Sequence, residues 1–475
     1  MSSLQVLNTI NFHGLFNWVC LDKNTALTDD EPLSSNSSST TFNVDSTLLY
    51  EHFFADFGPL NLGQLHRFCK LLNSKLEEAT TQHKQLSFAT SNHPHKRSNS
   101  IYLVCSWFLI YKQNSVALAY QPFFGLVPAP VPFRDAAFSI CTYSLSVIDV
   151  LKGVSKSLAQ ERFNFATFNP DLYDRMDRIE HGDCTWIIPG KLMAFSGPQA
   201  QKREISPGVF TLSIDEYIPL FKKYGVTGVI RFNKKIYDRQ VLISGGINHY
   251  DLYYEDGGNP TEEIAQRFLQ ICEQEKGAVA VHCKAGLGRT GTNIGNYMIK
   301  HYGYTANEVI GWCRVCRPGS IVGPQQNYEA DAEAKFLREG ENYRRMMHSS
   351  PKNTSDSTER PSRFLTRSPS PSPEKDALAL NNFNVTTNIN NTSITSPVKH
   401  RARPKTTSRI GTPTTLTNNK SDNKLDQLAS SPTNISGSTR RLTTTKTKNN
   451  TSDNSTQRTV MRSSSHRVNN ATSAN

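Results

Sequence analysis

The last 125 residues of this 475-residue chain contain no cysteine and only two aromatic side chains, Phe364 and Phe383. A segment so poor in apolar bulk cannot bury enough surface to offset the entropy of ordering it. The tail, taken as residues 346–475 and rich in Ser, Thr and Asn, is therefore expected to be disordered. No apolar run is long enough to cross a bilayer; the longest, near Ile101–Tyr111, falls well short, so no membrane partner is expected. No cationic-then-apolar leader opens the chain. All nine cysteines fall in the first 350 residues, an odd number in a large protein, which points to free thiols and a cytosolic or nuclear setting. Cys313 and Cys316 form a C-x-x-C, but in a helix-like run with no second pair at zinc spacing, so they read as core and no metal or cofactor is expected. The first 350 residues also lack net charge. Residues 351–475 carry 19 Lys/Arg and 7 Asp/Glu, which leaves 34 of each sign before them, so the tail holds the whole excess of +12. Attraction to acidic partners belongs to the tail.

Against these absences stands one dense motif, Val281-His-Cys-Lys-Ala-Gly-Leu-Gly-Arg-Thr-Gly-Thr292. A cysteine, five residues and an arginine can close into a loop around a phosphate dianion, with the Cys283 sulfur under the phosphorus and the Arg289 guanidinium on two oxygens. Ala285, Gly286, Gly288 and Gly291 are small, which lets backbone N–H groups turn inward onto an anion. A helix predicted from about Thr290 to Tyr302 would aim its positive end at the same point. The same letters also spell G-x-G-x-x-G, after a strand-like Ala278–Val281 and about 20 residues before Glu308, as in a dinucleotide fingerprint. That fingerprint places its first glycine at the strand end, whereas four residues intervene here, and it gives no reason for Cys283 and Arg289.

The chain divides into residues 1–165, a linker at 166–181, a second unit at 182–345 and the tail. In the first unit, Thr28–Thr41 and Thr80–Ser100 read as polar surface loops. A helix is predicted within Tyr50–Leu76, a buried strand at Ile101–Ser106, and helices at Ser115–Tyr120 and Ala136–Val154. The linker carries Asp171, Asp174, Asp177 and Glu180 at helical spacing, with Asp174 and Asp177 on one face. In the second unit, strands are predicted at Trp186–Ile188, Met193–Phe195, Gly228–Phe232, Ile247–Tyr253 and Ala278–Val281. Helices are predicted at Ser213–Tyr224, Pro260–Glu275 with Asn259 as its cap, Thr290–Tyr302, Ala306–Cys316 and Gln325–Glu339. Alternating strands and helices imply an α/β layer architecture. The tail holds Ser-Pro or Thr-Pro at Ser368, Ser370, Ser372, Ser396, Thr412 and Ser431, and a basic cluster at Lys399–Lys405.

Phosphate monoesters resist nucleophiles, so the site needs an ionised nucleophile, preorganised donors for the equatorial oxygens and an acid for the leaving oxygen. Inward N–H dipoles and a helix terminus favour a thiolate. The acid must come from outside the loop. Asp256, in Glu255-Asp-Gly-Gly-Asn-Pro260 between a strand and a helix, is favoured over Asp251 and Glu255, because Gly257 and Gly258 allow a closing loop. Gln325 or Gln326, after Arg317-Pro-Gly-Ser-Ile-Val-Gly-Pro324, is a candidate to hold water, and Thr290 to bond the departing sulfur.

Together with Phe57-Gly-Pro-Leu-Asn-Leu62, Gly182-Asp183 with Trp186-Ile-Ile-Pro-Gly-Lys191, and Val229-Ile-Arg-Phe-Asn233, these blocks resemble the mitotic-exit dual-specificity phosphatases, the cell division cycle fourteen family. The likeness spans about residues 5–345. It implies an α/β protein of two tandem dual-specificity-phosphatase-like domains joined by a linker helix, the first without a nucleophile and the second catalytic. It implies Cys283 as nucleophile, Lys284, Ala285, Gly286, Leu287, Gly288 and Arg289 as the phosphate cradle, and Asp256 as acid. Asp174, Asp177 and Asp183 match the family's acidic groove for basic residues, with Asp at 174 and 177 where the family more often carries Glu. The implied substrates are phosphoproteins made by proline-directed kinases, with cyclin-dependent kinases acting in turn on the tail. Microtubules or spindle components are the further partners implied. The implied setting is nucleus and cytoplasm, including nucleolus, spindle, centrosome or ciliary base. A rival function is a catalytically idle phosphate-binding scaffold that docks on microtubules or nucleic acid through the +12 tail.

Overall fold

The computed structural model describes residues 5–12, 14–23, 26–27 and 38–349, with side chains to residue 346. The Ser-Pro sites, the basic cluster and most of Thr28–Thr41 lie outside the described residues. The first unit runs β1 (Val6–Phe12), β2 (Phe16–Leu21), β3 (Ser39–Asn43), α1 (Leu62–Thr81), β4 (Gln85–Ser91), α2 (Pro94–Tyr111), α3 (Val116–Tyr120) and α4 (Val147–Ala159). Helix α5 (Pro170–Asp177) and a 3-10 turn at Ile179–His181 lead into the second unit. That unit holds β5 (Cys184–Ile188), β6 (Leu192–Phe195), β7 (Glu204–Ser206), β8 (Val209–Phe210), α6 (Tyr217–Lys223), β9 (Val226–Arg231), α7 (Gln240–Ser244) and β10 (Asn248–Asp251). It closes with α8 (Glu262–Gln274), β11 (Ala278–His282), α9 (Gly288–Tyr302), α10 (Ala306–Cys316) and α11 (Pro324–Ser349).

Two larger sheets organise these elements, and β7 and β8 pair in a separate two-stranded one. The first has the order β1-β2-β4-β3, with β4 parallel to both neighbours and β1 antiparallel to β2. The second has the order β10-β9-β11-β6-β5, parallel except at β5. All five residues of β11 are buried, as expected of a central parallel strand covered on both faces. Phe195, Tyr217, Phe221, Val229 and Leu242 pack on one face of this sheet.

The structure departs from the sequence expectations mainly in the first unit. Ile101–Ser106 is not a strand; it is the middle of α2, where Ile101 to Leu109 are all buried. A helix enclosed on every side loses the 3.6-residue alternation that marks a surface helix. Thr80–Ser100 is not a surface loop either. It contains β4, whose alternation of Leu86 and Phe88 with polar residues is half hidden by flanking His and Ser, and then the first turns of α2. Residues 136–146 are loop, and α4 begins where the Ser146–Asp149 capping box fixes it. Helix α8 is capped by Thr261, whose hydroxyl accepts the Ile264 N–H, rather than by Asn259. Glu262 and Glu263 then sit in the first turn, favourable to its dipole.

The two units share one hydrophobic core. Val150, Leu151 and Val154 of α4 cluster with Val309, Ile310 and Trp312 of α10, and Lys156 pairs with Glu308 at 2.6 Å. The helices approach so closely because each presents a glycine to the backbone of the other. A Cβ on Gly153 would stand 2.4 Å from the Glu308 carbonyl oxygen, and one on Gly311 would stand 2.8 Å from the Val150 Cα. Gly153→Ala should therefore lower unfolding free energy by about 1–3 kcal/mol, as overpacking does. A urea midpoint equal to that of the parent would show that the helices part at no cost.

Candidate active site

Strand β11 delivers Cys283 to the centre of the sheet edge, where the residue is 2% exposed. Helix α9 starts at Gly288, two residues earlier than expected, so Arg289 falls in its first turn. Gly286 has φ +69°, and a Cβ there would lie 2.0 Å from the Phe195 carbonyl oxygen, so only glycine fits. Arg317, 1% exposed, donates from Nη2 to the Ala285 carbonyl (3.1 Å) and from Nε to the Gly286 carbonyl (2.9 Å). In a trans peptide the N–H opposes the C=O, so these bonds turn the Gly286 and Leu287 N–H groups to the inside of the loop. Among the described residues no acceptor takes the N–H groups of Lys284 to Leu287. The result is a nest of free donors over Cys283 at a helix N-terminus.

Arg289 is held from behind. Its Nη1 donates to the carbonyls of Phe232 (3.2 Å) and Tyr254 (2.6 Å), while Nε is buried without a partner. Its Nη2 lies 3.0 Å from Asp256 Oδ1. Asp256 is well exposed, its side chain 65% accessible, on the loop after β10. The alternative acids are engaged elsewhere. Asp251 meets Arg231 Nε at 2.7 Å, and Glu255 accepts the Tyr253 hydroxyl. Burial pushes the Asp251 carboxyl up, yet the Arg231 guanidinium outweighs it and holds the group below its ordinary value.

Of the two glutamines, Gln325 belongs to the site. Its Oε1 accepts the Val322 N–H (3.1 Å) and would lie 2.7 Å from a Cβ on Gly288, while its Nε2 donates to the Gly258 carbonyl (3.1 Å). One amide thus bridges the cysteine loop and the Asp256 loop. Gln326 faces away, accepting from Arg314 Nη2 at 2.7 Å. The Thr290 hydroxyl is buried and unpartnered beside Arg289. The dinucleotide fingerprint finds no footing. Strand β11 ends at His282, well before Gly286, and Glu308 is used in the capping box of α10 and the pair with Lys156. Cys313 and Cys316 are buried in α10, their thiols pushed up by burial.

The acidic linker is already partnered. Asp174 pairs with Arg67 of α1. Asp183 Oδ1 lies 2.8 Å and Asp177 Oδ1 3.9 Å from Arg317 Nη1. Arg317 therefore ties Asp177 and Asp183 to the cysteine loop, a link that its position 28 residues beyond Arg289 gives no hint of.

A second feature lay beyond the reach of spacing. A carbonyl can only accept, so His282 Nδ1–H donates to the Cys283 oxygen at 2.9 Å. The Tyr237 hydroxyl then donates to His282 Nε2 (2.7 Å) and accepts from His249 Nε2 (3.0 Å), leaving His249 Nδ1 the buried, unpartnered acceptor. Burial holds both imidazoles neutral, lowering His282 to about 3 and His249 to about 4. An unfolded histidine titrates near 6.5 and binds protons that the fold refuses. The contribution is therefore complete above about pH 6.5 and is lost as pH falls toward about 4, at roughly 1.4 kcal/mol per pH unit for each histidine. Urea melts across that window should show the decline, and His249→Gln should flatten it by about half. An unchanged slope would remove His249 from the account.

Comparison with known proteins follows the same division. Residues 15–157 match the family model described as "Dual specificity protein phosphatase, N-terminal half", and residues 207–303 match "Polymorphic toxin system, DSP-PTPase phosphatase". Human dual specificity protein phosphatase CDC14C is 41% identical over 314 residues, covering 66% of this chain and 70% of its own. The chain belongs to the CDC14 family. Human CDC14A is 44% identical over 311 residues, covering 65% of this chain and 52% of its own. Candida albicans tyrosine-protein phosphatase CDC14 is 36% identical over 290 residues, covering 60% and 53%. The chain spans about half the length of human CDC14A and of Candida albicans CDC14. The fold is accordingly two dual-specificity-phosphatase-type domains, with the cysteine loop in the second.

Proposed function

We propose that this CDC14-family chain is a dual-specificity protein phosphatase acting through a phosphocysteine. The observation that carries this is Arg289, which brings Asp256 to its Nη2 and keeps Nε free beside the donor nest over Cys283. The Cys283 thiolate attacks phosphorus, forming the S–P bond as the P–O bond to the leaving group breaks. Asp256 gives its proton to the leaving oxygen. The free N–H groups and Arg289 hold the equatorial oxygens. Water then attacks phosphorus with the Asp256 carboxylate taking its proton, and the S–P electrons return to sulfur. Gln325, which reaches both loops, positions that water, and the Thr290 hydroxyl bonds the departing sulfur.

The substrates in this proposal are phospho-Ser/Thr-Pro sites, and phosphotyrosine, with a basic residue nearby, read by Asp174, Asp177 and Asp183. Such an enzyme opposes cyclin-dependent kinases in mitotic exit and cytokinesis, in nucleus and cytoplasm, with those kinases phosphorylating its own tail. The full chain should hydrolyse a phosphoserine-proline peptide with lysine three residues on. Asp174→Lys should cut kcat/KM for it about two- to fivefold, the size of one exposed ion pair, with no loss on an aryl phosphate. Equal losses on both would remove the groove, and no turnover of the peptide would overturn the function.

A further inference from the structure

The first unit repeats the strand-loop-helix of the second. Strand β4 lies between two parallel neighbours, runs into a short loop and is followed by α2, as β11 is followed by α9. Ser91 and Arg97 span this loop at the same spacing as Cys283 and Arg289, with a hydroxyl where the other has a thiol. Arg97 is 2% exposed, and its Nε and Nη2 have no nitrogen or oxygen acceptor; the Cys20 thiol beside the guanidinium is its one hydrogen-bonding side-chain neighbour among the described residues. The Ser91 hydroxyl is likewise buried and unpartnered. A buried guanidinium with unfilled donors is costly, and Nε with Nη2 is the edge that grips two oxygens of an oxyanion. Arg289 presents that same edge. The Cys20 thiol, at the end of β2, lies against Arg97 and 4.0 Å from Asn92 Oδ1, which places the guanidinium at the loop.

The loops differ in their backbone donors. The Ser91 N–H donates to Asp45 Oδ2 (2.9 Å), the Asn92 N–H to the Lys23 carbonyl (2.8 Å) and the His95 N–H to His93 Nδ1 (3.3 Å). Lys96 Nζ donates to the Asp45 backbone oxygen (2.6 Å). An anion here must be held by side chains, more weakly than at Arg289. Asp45 also accepts from the Leu27 N–H and the Thr90 hydroxyl, so its carboxylate is committed and plays no part like that of Asp256.

We propose that the Ser91–Arg97 loop is a second, non-hydrolysing oxyanion site, which takes a phosphate group without cleaving its ester. The test is a calorimetric titration of tungstate into the full chain carrying Arg289→Ala. That background removes the clamp of the first site, so the result is independent of turnover at Cys283. One tungstate equivalent should persist, and adding Arg97→Gln should weaken it at least about tenfold. Should that variant fail to fold, Ser91→Asp, which sets a carboxylate beside Arg97, should do the same. Displacement of tungstate by a phosphoserine peptide at lower concentration than by inorganic phosphate supports the site and identifies a phosphoprotein ligand. Displacement by inorganic phosphate alone supports it with a free anion as ligand. No binding in the Arg289→Ala chain, or binding unmoved by Arg97→Gln and Ser91→Asp, would overturn it.

Discussion

Cys283→Ser should reduce hydrolysis of both aryl phosphates and phosphopeptides by on the order of 10⁶, the scale of loss when a hydrolase with a covalent intermediate is stripped of its nucleophile. A serine hydroxyl is a far weaker acid than a cysteine thiol and the poorer nucleophile. Little else changes. The residue is buried at the end of β11, and the loop shape is set by Gly286 against Phe195 and by Arg317 on the Ala285 and Gly286 carbonyls, none of which involves the sulfur. Tungstate should still bind at the loop, and the burst of leaving group in rapid-mixing kinetics should vanish. Residual turnover above about a hundredth of the parent would exclude a thiolate mechanism.

Arg289→Lys should lower kcat by about 10³ to 10⁵, the range for an arginine that stabilises charge in phosphoryl transfer. The charge survives, so the loss isolates geometry. Nη1 is spent on the Phe232 and Tyr254 carbonyls, while Nη2 faces Asp256 and Nε remains for oxyanion. A single ammonium cannot bond two backbone carbonyls and grip two phosphate oxygens as well. The two carbonyls would lose their donor, so a stability measurement must accompany the kinetics. Activity within about tenfold of the parent in a folded variant would show that Arg289 serves the fold alone.

The cysteine loop was legible because its pattern is local: Cys283, Arg289 and the small residues lie within nine consecutive positions. The glycines beside Asp256, between strand and helix, marked the loop that the structure places against Arg289. What depends on distant contact was not. Gln325 and Gln326 are neighbours, and only the packing of α11 turns one toward Gly258 and the other toward Arg314. The Tyr237–His249 chain joins the segment after β9 to β10 and β11, with no spacing to betray it. Helix α2 was misread because burial on all sides erases periodicity, and β4 because polar neighbours mask a short central strand. The resemblance of the sequence reached the domains and the loop, but not the partners already held by the linker acids.

Under the proposed function, Arg317 makes recognition and catalysis thermodynamically inseparable. One guanidinium shapes the cysteine loop through two carbonyls and at the same time neutralises Asp183 and faces Asp177. Substitutions in the linker and in the loop should therefore fail to combine additively, as groups sharing one network do. On that proposal, a drift in substrate preference through Asp177 or Asp183 would carry a penalty in turnover, which leaves Asp174, anchored to Arg67 instead, as the position where specificity could evolve without disturbing the cradle.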